Sequence, residues 1–242
     1  MKRVALLGAT GNLGRHVASQ ALAKGWALSV AVRNRARLSP DAASKAHITD
    51  LDLDRATVEE IAAFAVGHDV FVCCAGHVTQ GEGFVRLEDK IVSALESIEL
   101  DKRPVCWFLA GAALLPLDAN GRLGLELPKV RDTYWPHKLN YERLQRSDLD
   151  WRLLCPGPMV EAPAIGLDRL RISLDALPAP LPAAAGALPA LLVLPMFALK
   201  IPEMTIPYAD AASVILADVE ANGESSRHRI GVALPVGMKL RK

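Results

Sequence analysis

The sequence predicts an α/β protein with a doubly wound parallel sheet. Short apolar runs alternate with segments of helical periodicity from the N-terminus to Cys155, as expected for strands joined by crossover helices. The runs are nearly continuous and do not alternate with polar residues, which is typical of parallel strands covered on both faces. A glycine-rich turn separates the first run from the first helical segment. Right-handed connections between such strands produce a doubly wound sheet.

Bulk composition agrees with a globular protein that binds small molecules. The chain has 242 residues, of which 51% are hydrophobic and 23% are charged, so it can bury a substantial core. The formal net charge is only +1 and no run of like charge is present. We therefore expect no nucleic-acid partner.

The first half of the chain contains four predicted strands. The first strand covers 3–7, and the helix that follows its glycine-rich turn ends near Gly25. A second helix is predicted over 58–65, where apolar residues recur at helical spacing. The other three strands of this half are predicted at 27–32, 46–51 and 69–75.

The second half continues the alternation and then departs from it. A helix over 84–98 precedes a fifth strand at 104–109, and a sixth strand at 151–155 stops at Pro-Gly-Pro. Regular structure resumes in the last part of the chain, with a helix over 209–220 and a strand over 229–233.

Residues 162–204 lie between these two parts and are rich in Pro, Ala and Leu. This region is too apolar for a solvated linker, and we interpret it as a cap over the substrate pocket; a surface that faces a partner or a membrane is the alternative. Five prolines interrupt its most apolar stretch, 176–201, so no unbroken integral membrane segment is predicted.

The four cysteines, Cys73, Cys74, Cys106 and Cys155, all lie in apolar strand-like runs. Adjacent Cys73 and Cys74 would point to opposite faces of a strand, and neither the cysteines nor the six histidines have metal-ligand spacing. We expect buried free thiols, no metal site and a cytoplasmic location.

The glycine-rich turn is the clearest candidate for a functional site. Gly8, Gly11 and Gly14 form G-x-x-G-x-x-G directly after the first strand and at the start of an amphipathic helix. In a dinucleotide-binding turn the first glycine allows the tight bend, the second lets the backbone approach pyrophosphate, and the third lets helix and strand pack closely. Backbone N–H groups near Asn12 and Leu13 would hold the anion. The sequence thus predicts a Rossmann-type NAD(P)-binding fold.

Charges beyond the second strand favour NADP(H) over NAD(H). A site that prefers NAD usually has Asp or Glu about 20 residues after the loop, where it binds the ribose 2′-hydroxyl. This chain has Arg33 there, and no acidic residue precedes Asp41. The planar, permanently charged guanidinium of Arg33 suits a 2′-phosphate; an exposed arginine with no ligand is the alternative.

Further cofactor contacts are expected where other strands end. Asp50 and Leu51 close the third strand and would flank adenine, whereas Ala75 and Gly76 follow the fourth strand beside the crevice of the sheet. The complete set of candidate cofactor residues is Gly8, Thr10, Gly11, Asn12, Leu13, Gly14, Arg33, Asp50, Leu51, Ala75, Gly76, Lys138 and Pro156.

Tyr134 and Lys138 are the candidate catalytic residues. They stand four residues apart, which places them on one face of a helix. A tyrosine hydroxyl can give or take a proton as hydride moves, and a nearby ammonium favours the phenolate and lowers its pKa. Lys138 could also hydrogen-bond the nicotinamide ribose. His137, one helical step round, is predicted to have a surface or helix-packing role.

In these motifs the chain resembles atypical or extended short-chain dehydrogenase/reductases of the NmrA-like, NAD(P)H-binding group. The resemblance implies the Rossmann fold, a nicotinamide cofactor, Tyr134 as proton donor and Lys138 as its partner. The length of the chain suits a single NAD(P)-binding domain over 1–242. The matching segments are GATGNLG at 8–14, AVRN at 31–34, YWPHK at 134–138, DWRLLCPGP at 150–158 and IPYADAASVI at 206–215, with Asp210 in the last.

One departure from the family pattern bears on function. Relatives with full dehydrogenase chemistry usually carry Ser or Thr just after the fifth strand, but 109–113 contains no hydroxyl. Thr133 or backbone N–H groups are candidates to replace it. The predicted function is an NADP(H)-dependent oxidoreductase that passes hydride to a small, largely apolar carbonyl, quinone or related acceptor. The alternatives are a non-catalytic NADP(H)-binding redox sensor or, less favoured, a nucleotide-sugar epimerase or dehydratase.

Overall fold

A computed structural model describes residues 1–118 and 120–241. Its main sheet has eight strands in the order β3-β2-β1-β4-β5-β6-β10-β8, in which the first seven are parallel and β8 pairs antiparallel with β10 at one edge. Strands β7 and β9 form a separate parallel pair. The strands are β1 (Arg3–Leu7), β2 (Ala27–Val32), β3 (His47–Asp50), β4 (Val70–Cys73), β5 (Val105–Leu109), β6 (Trp151–Cys155), β7 (Met159–Val160), β8 (Arg171–Leu174), β9 (Ile206–Pro207) and β10 (Arg229–Ala233).

Helices cover both faces of this sheet. They are α1 (Asn12–Ala23), α2 (Pro40–Lys45), α3 (Val58–Ala65), α4 (Glu82–Glu96), α5 (Val130–Arg146), α6 (Ala190–Met204) and α7 (Tyr208–Ala217). Helices α1, α2 and α7 contribute to the core on one face, and α3, α4, α5 and α6 contribute to the core on the other. The doubly wound α/β fold that the sequence predicts is therefore confirmed.

Strand β1 shows why the apolar runs are continuous. Val4 and Leu6 belong to the core on one face, whereas Ala5 and Leu7 belong to the core on the other. Successive side chains of a strand point to opposite faces, so a strand covered on both sides needs apolar residues at every position.

Strand order places one crevice at the carboxyl edge of the sheet. The chain runs outward from β1 through β2 to β3, then returns to β4 on the other side of β1. Loops after β1 and β4 consequently leave in opposite directions, which opens a crevice at the point where ligands bind in such sheets.

Residues 162–204 contribute to the main sheet as well as to its cover. Arg171–Leu174 is the antiparallel edge strand, and α6 follows with Val193, Phe197 and Met204 buried against the core. Pro195 and Pro202 lie inside α6, and the helix continues through both. No helix in the described part of the chain is long and apolar enough to cross a membrane.

Candidate functional site

The glycine-rich turn occupies the carboxyl end of β1 beside the crevice. Gly8 has a φ of 79°, and a Cβ there would lie 2.5 Å from the carbonyl oxygen of Cys74. A Cβ on Gly14 would overlap the carbonyl oxygen of Gly8. The N–H of Gly11 donates to that same oxygen at 2.9 Å. Side chains are therefore excluded at the first and third glycines by packing, as a dinucleotide loop requires.

Helix α1 begins at Asn12, and its first N–H groups have no side-chain cap among the described residues. Gly11 is the N-cap, and within the described residues no side chain caps the helix and no acidic side chain lies in its first turn. The partial positive charge of the helix end is therefore not neutralised locally, which favours an anion at this place.

Side chains from two other segments, Glu161 after β7 and Tyr208 in α7, contact the first turns of α1. Arg15 and His16 both contact the carboxylate of Glu161, at 2.7 and 2.8 Å. The ring of His16 also stacks on Tyr208 at 6.2 Å between centroids. The sequence did not predict Glu161 or Tyr208 as site residues; the one signal was that Tyr208 lies within the family-like segment 206–215 that contains Asp210.

Asp210 fixes the chain that carries Glu161. It is fully buried and accepts hydrogen bonds from the backbone N–H groups of Ile165, at 2.8 Å, and Gly166, at 3.0 Å. The aspartate of the late family-like segment thus anchors a loop and lies away from solvent.

Arg33 directly follows β2, at the position that the sequence predicts. Its Nη1 atom lies 3.3 Å from Asp54 Oδ2, and 65% of its side chain is exposed. Arg35 instead forms two hydrogen bonds to Asp50, both of 2.8 Å. These bonds lower the pKa of Asp50 and satisfy its carboxylate. Arg33 is consequently the arginine with the weaker partner.

The residues that follow β3 and β4 are held by backbone hydrogen bonds and by close packing. The N–H of Leu51 donates to Val32 O at 3.1 Å, and that of Cys74 donates to Leu7 O at 2.9 Å. Gly76 has a φ of 89°, and a Cβ there would lie 2.6 Å from the ring of Phe84. The predicted contacts at 50–51 and 75–76 therefore lie beside β2 and the glycine loop respectively.

Tyr134 and Lys138 lie on the exposed side of α5. Tyr134 is 38% exposed, and its ring stacks on that of His137 with centroids 6.1 Å apart. The ammonium of Lys138 lies 3.8 Å from Glu142 Oε1. The two residues share a helix face, and the side chain of each is partly exposed to solvent.

His137, on α5, is buried against α4 and the loop after β5. Its ring meets Phe84 edge-on at 5.7 Å, with an interplanar angle of 89°. A Cβ on Gly111 would lie 3.9 Å from both Cδ2 and Nε2 of the ring. Burial lowers the pKa of His137 to about 4, and nearby His77 adds to the effect. Of the two predicted roles, the structure supports helix packing and not a surface position.

Pro156 lies beside the same loop. Its carbonyl oxygen accepts a hydrogen bond from the N–H of Ala112 at 2.7 Å. This bond ties the hydroxyl-free segment after β5 to the Pro-Gly-Pro turn after β6. Thr133, which was considered as a replacement hydroxyl, is exposed on the first turn of α5.

Tyr141 and Arg122 each contact a distant part of the protein. The ring of Tyr141 packs edge-on against Trp151 at 5.9 Å, with the Arg229 guanidinium 4.8 Å from its centroid. Arg122 donates to Leu188 O at 2.8 Å and lies 3.6 Å from Asp118. Arg122 thereby joins the connection after β5 to the segment that leads into α6.

The thiols are free and three of them, Cys73, Cys106 and Cys155, are buried. Burial raises the pKa of Cys73 to about 12, which keeps its thiol protonated. In residues 1–118 and 120–241 no cluster of His, Cys, Asp or Glu is placed to hold a metal ion.

The doubly wound sheet and the glycine-rich turn after β1 together define a class of protein, the Rossmann-type NAD(P)-binding proteins. The chain matches the NAD(P)H-binding family over residues 8–175. It therefore belongs to that family, as the resemblance noted from its motifs predicts.

Solved structures share the fold at low sequence identity. A protein from Streptococcus pneumoniae that carries the name NADH-flavin reductase is 16% identical, with a TM-score of 0.71 over 97% of this chain and 100% of its own. A protein from Burkholderia pseudomallei designated as exported is 20% identical, with a TM-score of 0.70 over 96% and 100%. A Rossmann-fold NAD(P)-binding family protein from Shigella flexneri is 15% identical, with a TM-score of 0.65 over 100% and 98%. At these identities the likeness extends to the fold alone.

Proposed function

We propose that this protein is an NADP(H)-dependent oxidoreductase of the short-chain dehydrogenase/reductase type. Its acceptor is a small, largely apolar carbonyl, quinone or related compound. The observation that carries the proposal is the accessible pair of Tyr134 and Lys138 on one face of α5, in a chain of the NAD(P)H-binding family.

The glycine loop would hold the pyrophosphate of the dinucleotide. Packing leaves no room for a Cβ at Gly8 or Gly14, and the uncapped N–H groups at the start of α1 supply donors. Asp50 and Leu51 would flank adenine. Ala75, Gly76 and Pro156 would lie toward the nicotinamide end, with Thr10 beside the phosphates.

Arg33 supports the choice of NADP(H). The guanidinium is exposed, and its ion pair with Asp54 spans 3.3 Å between two exposed side chains. Exposed pairs of this kind contribute little free energy, so a 2′-phosphate can displace Asp54 at small cost. Arg35, by contrast, is held by two short bonds to Asp50.

Tyr134 would supply the proton and Lys138 would assist it. When bound, the reduced cofactor supplies a hydride to the acceptor, and the oxygen that gains charge then needs a proton. The Tyr134 hydroxyl gives that proton, and the ammonium of Lys138 favours the phenolate that remains. Lys138 also has a hydrogen-bond donor to spare for the ribose of the cofactor.

The apolar region 162–204 would cap the acceptor, within a single NAD(P)-binding domain over 1–242. The segment before α6 is joined to the connection after β5 by the bond from Arg122 to Leu188. Because that connection leaves the carboxyl edge of the sheet, the apolar segment can cover an acceptor and exclude water from the reacting atoms.

A panel assay separates this proposal from its main alternative. Purified protein is titrated with NADPH and with NADH, and oxidation of each is then followed with menadione, benzaldehyde and free flavin as acceptors. We expect tighter binding of NADPH and oxidation with at least one acceptor. Tight NADPH binding with no turnover on the whole panel would favour a redox sensor, which the hydroxyl-free loop at 109–113 supports.

A further inference from the structure

His137 combines three features that helix packing alone does not require. It is 8% exposed, its Nδ1 atom has no hydrogen-bond partner within residues 1–118 and 120–241, and the Cδ2–Nε2 edge of its ring lies against the loop after β5. A phenylalanine would fill the same space beside Phe84 with no unpaired polar atom. Burying an imidazole here carries a free-energy penalty that a purely apolar contact would avoid.

The loop that His137 faces is the one that lacks a hydroxyl. Gly111 has no side chain, and its neighbours at 110, 112 and 113 are all alanine. A Cβ on residue 111 would lie 3.9 Å from atoms Cδ2 and Nε2 of His137. The imidazole of His137, on α5, therefore lies beside the space that a side chain at residue 111 would occupy.

The ring is also aligned with Tyr134. The two rings are nearly parallel, with an interplanar angle of 17° and a centroid separation of 6.1 Å. The imidazole therefore lies beside the Tyr134 ring, one helical turn along α5.

We propose that the Nε2–H group of His137 donates a hydrogen bond to the acceptor's carbonyl oxygen and so holds that oxygen beside Tyr134. This role rests on the proposed function, since it assumes that the acceptor binds at Tyr134. In this tautomer the buried Nδ1 carries a lone pair and no proton, so only an acceptor atom is left unpaired inside the protein. Burial favours the uncharged ring, and His137 accordingly acts as a hydrogen-bond donor with no net charge.

Two substitutions separate hydrogen bonding from packing. His137→Phe keeps a planar ring against Phe84 and removes both nitrogens. His137→Gln places an amide donor near the position of Nε2. We expect NADPH affinity to stay within about twofold of wild type in both variants, because neither touches the glycine loop.

Menadione binding to the NADP⁺-loaded protein provides a test that needs no turnover. We expect His137→Phe to weaken menadione binding about tenfold to a hundredfold, as for the loss of one hydrogen bond to a buried polar atom, and His137→Gln to recover part of it. The ¹⁵N resonance of His137 Nε2 should shift in wild type when menadione is added. Equal menadione affinities in the three proteins, or an unchanged resonance at saturation, would overturn the proposal.

The same proteins distinguish this proposal from the oxidoreductase assignment. NADPH turnover that is equal in wild type and His137→Phe would leave the oxidoreductase standing and remove His137 from the site. Menadione binding that depends on His137 without any turnover would do the reverse. Absence of both binding and turnover would count against both proposals.

Discussion

A Cβ atom on Gly14 would overlap the carbonyl oxygen of Gly8. The oxygen is a backbone atom of the glycine-rich turn, and the Cβ would be fixed to the backbone of α1, so neither atom can move without changing the turn. The close approach of α1 to the turn after β1 is therefore built on the absence of a side chain at position 14.

Gly14→Ala should disrupt the loop and weaken NADPH binding more than tenfold. Overpacking of this kind costs about 1–3 kcal/mol, and a drop in Tm should accompany the loss of affinity. Gly83→Ala is the matched control, because a Cβ at residue 83 in α4 would find its nearest neighbour at 3.9 Å. Thermal melts and NADPH titrations of both variants check this, and an undisturbed Gly14→Ala would refute the packing account.

Arg33→Ala should weaken binding of NADPH about tenfold to a hundredfold and leave NADH binding unchanged. The reason is that only NADPH carries the 2′-phosphate, and a charge-assisted hydrogen bond contributes about 1.5–3 kcal/mol. Arg37→Ala serves as control, since Arg37 is an exposed arginine of the same turn. Fluorescence titration with both dinucleotides measures the effect. Equal losses for the two cofactors would defeat the assignment of Arg33.

Asp210→Ala should lower the free energy of unfolding by about 3 kcal/mol. The substitution leaves the N–H groups of Ile165 and Gly166 without their acceptor, and each bond to a charged group contributes about 1.5–3 kcal/mol. Asp168→Ala, at an exposed aspartate of the same loop, should have little effect. Urea denaturation compares the two. A loss confined to Asp168→Ala would contradict the anchoring role.

Glu88 should make stability fall as pH rises toward 8. Burial raises the pKa of this carboxyl to about 8, although a hydrogen bond from Asn140 of 2.6 Å opposes the shift. Between the ordinary pKa of about 4.3 and the folded value, the native state holds a proton that the unfolded state has released. The free energy of unfolding therefore falls across this window, by up to about 1.4 kcal/mol per pH unit.

The Glu88→Gln variant isolates this effect from other titrating groups. His137, whose pKa is lowered, acts in the opposite direction between about 4 and its ordinary value. The difference between variant and wild type removes that contribution. We expect the variant to gain stability relative to wild type as pH is raised from about 5 to about 8, measured by urea denaturation; a pH-independent difference would contradict the raised pKa.

Much of the sheet could be predicted because its strands are apolar on both faces. The bounds of β1, β2, β6 and β10 agree with those expected from the sequence. Continuous apolar runs identify such strands directly. The edge strand β8 was not predicted because it is covered on one side only, and its residues alternate between partly buried and exposed.

Helix α6 was not predicted because prolines usually end helices. Here Pro195 and Pro202 lie inside the helix, whose packing through Val193 and Phe197 offsets the lost N–H groups. Tertiary burial thus overrides the local preference of the sequence.

The candidate site was only partly visible in the sequence for a similar reason. Gly8 and Gly14 were predicted from the motif of the turn, and Arg33 was predicted from its place directly after a strand; both signals are local in the sequence. His137 depends on how α5 packs against Phe84 and the loop after β5. That contact joins segments distant in the chain, and no pattern within YWPHK reports it.

The rate of NADPH oxidation in wild type and in Tyr134→Phe tests the central claim most directly. Tyr141→Phe is the control, since Tyr141 lies on the same helix as Tyr134 but packs against Trp151. We predict that wild type and Tyr141→Phe oxidise NADPH with at least one of menadione and benzaldehyde, and that Tyr134→Phe is about 100-fold slower or more, as expected when a general acid is lost. Equal rates in wild type and Tyr134→Phe, or no oxidation by wild type, would contradict the claim.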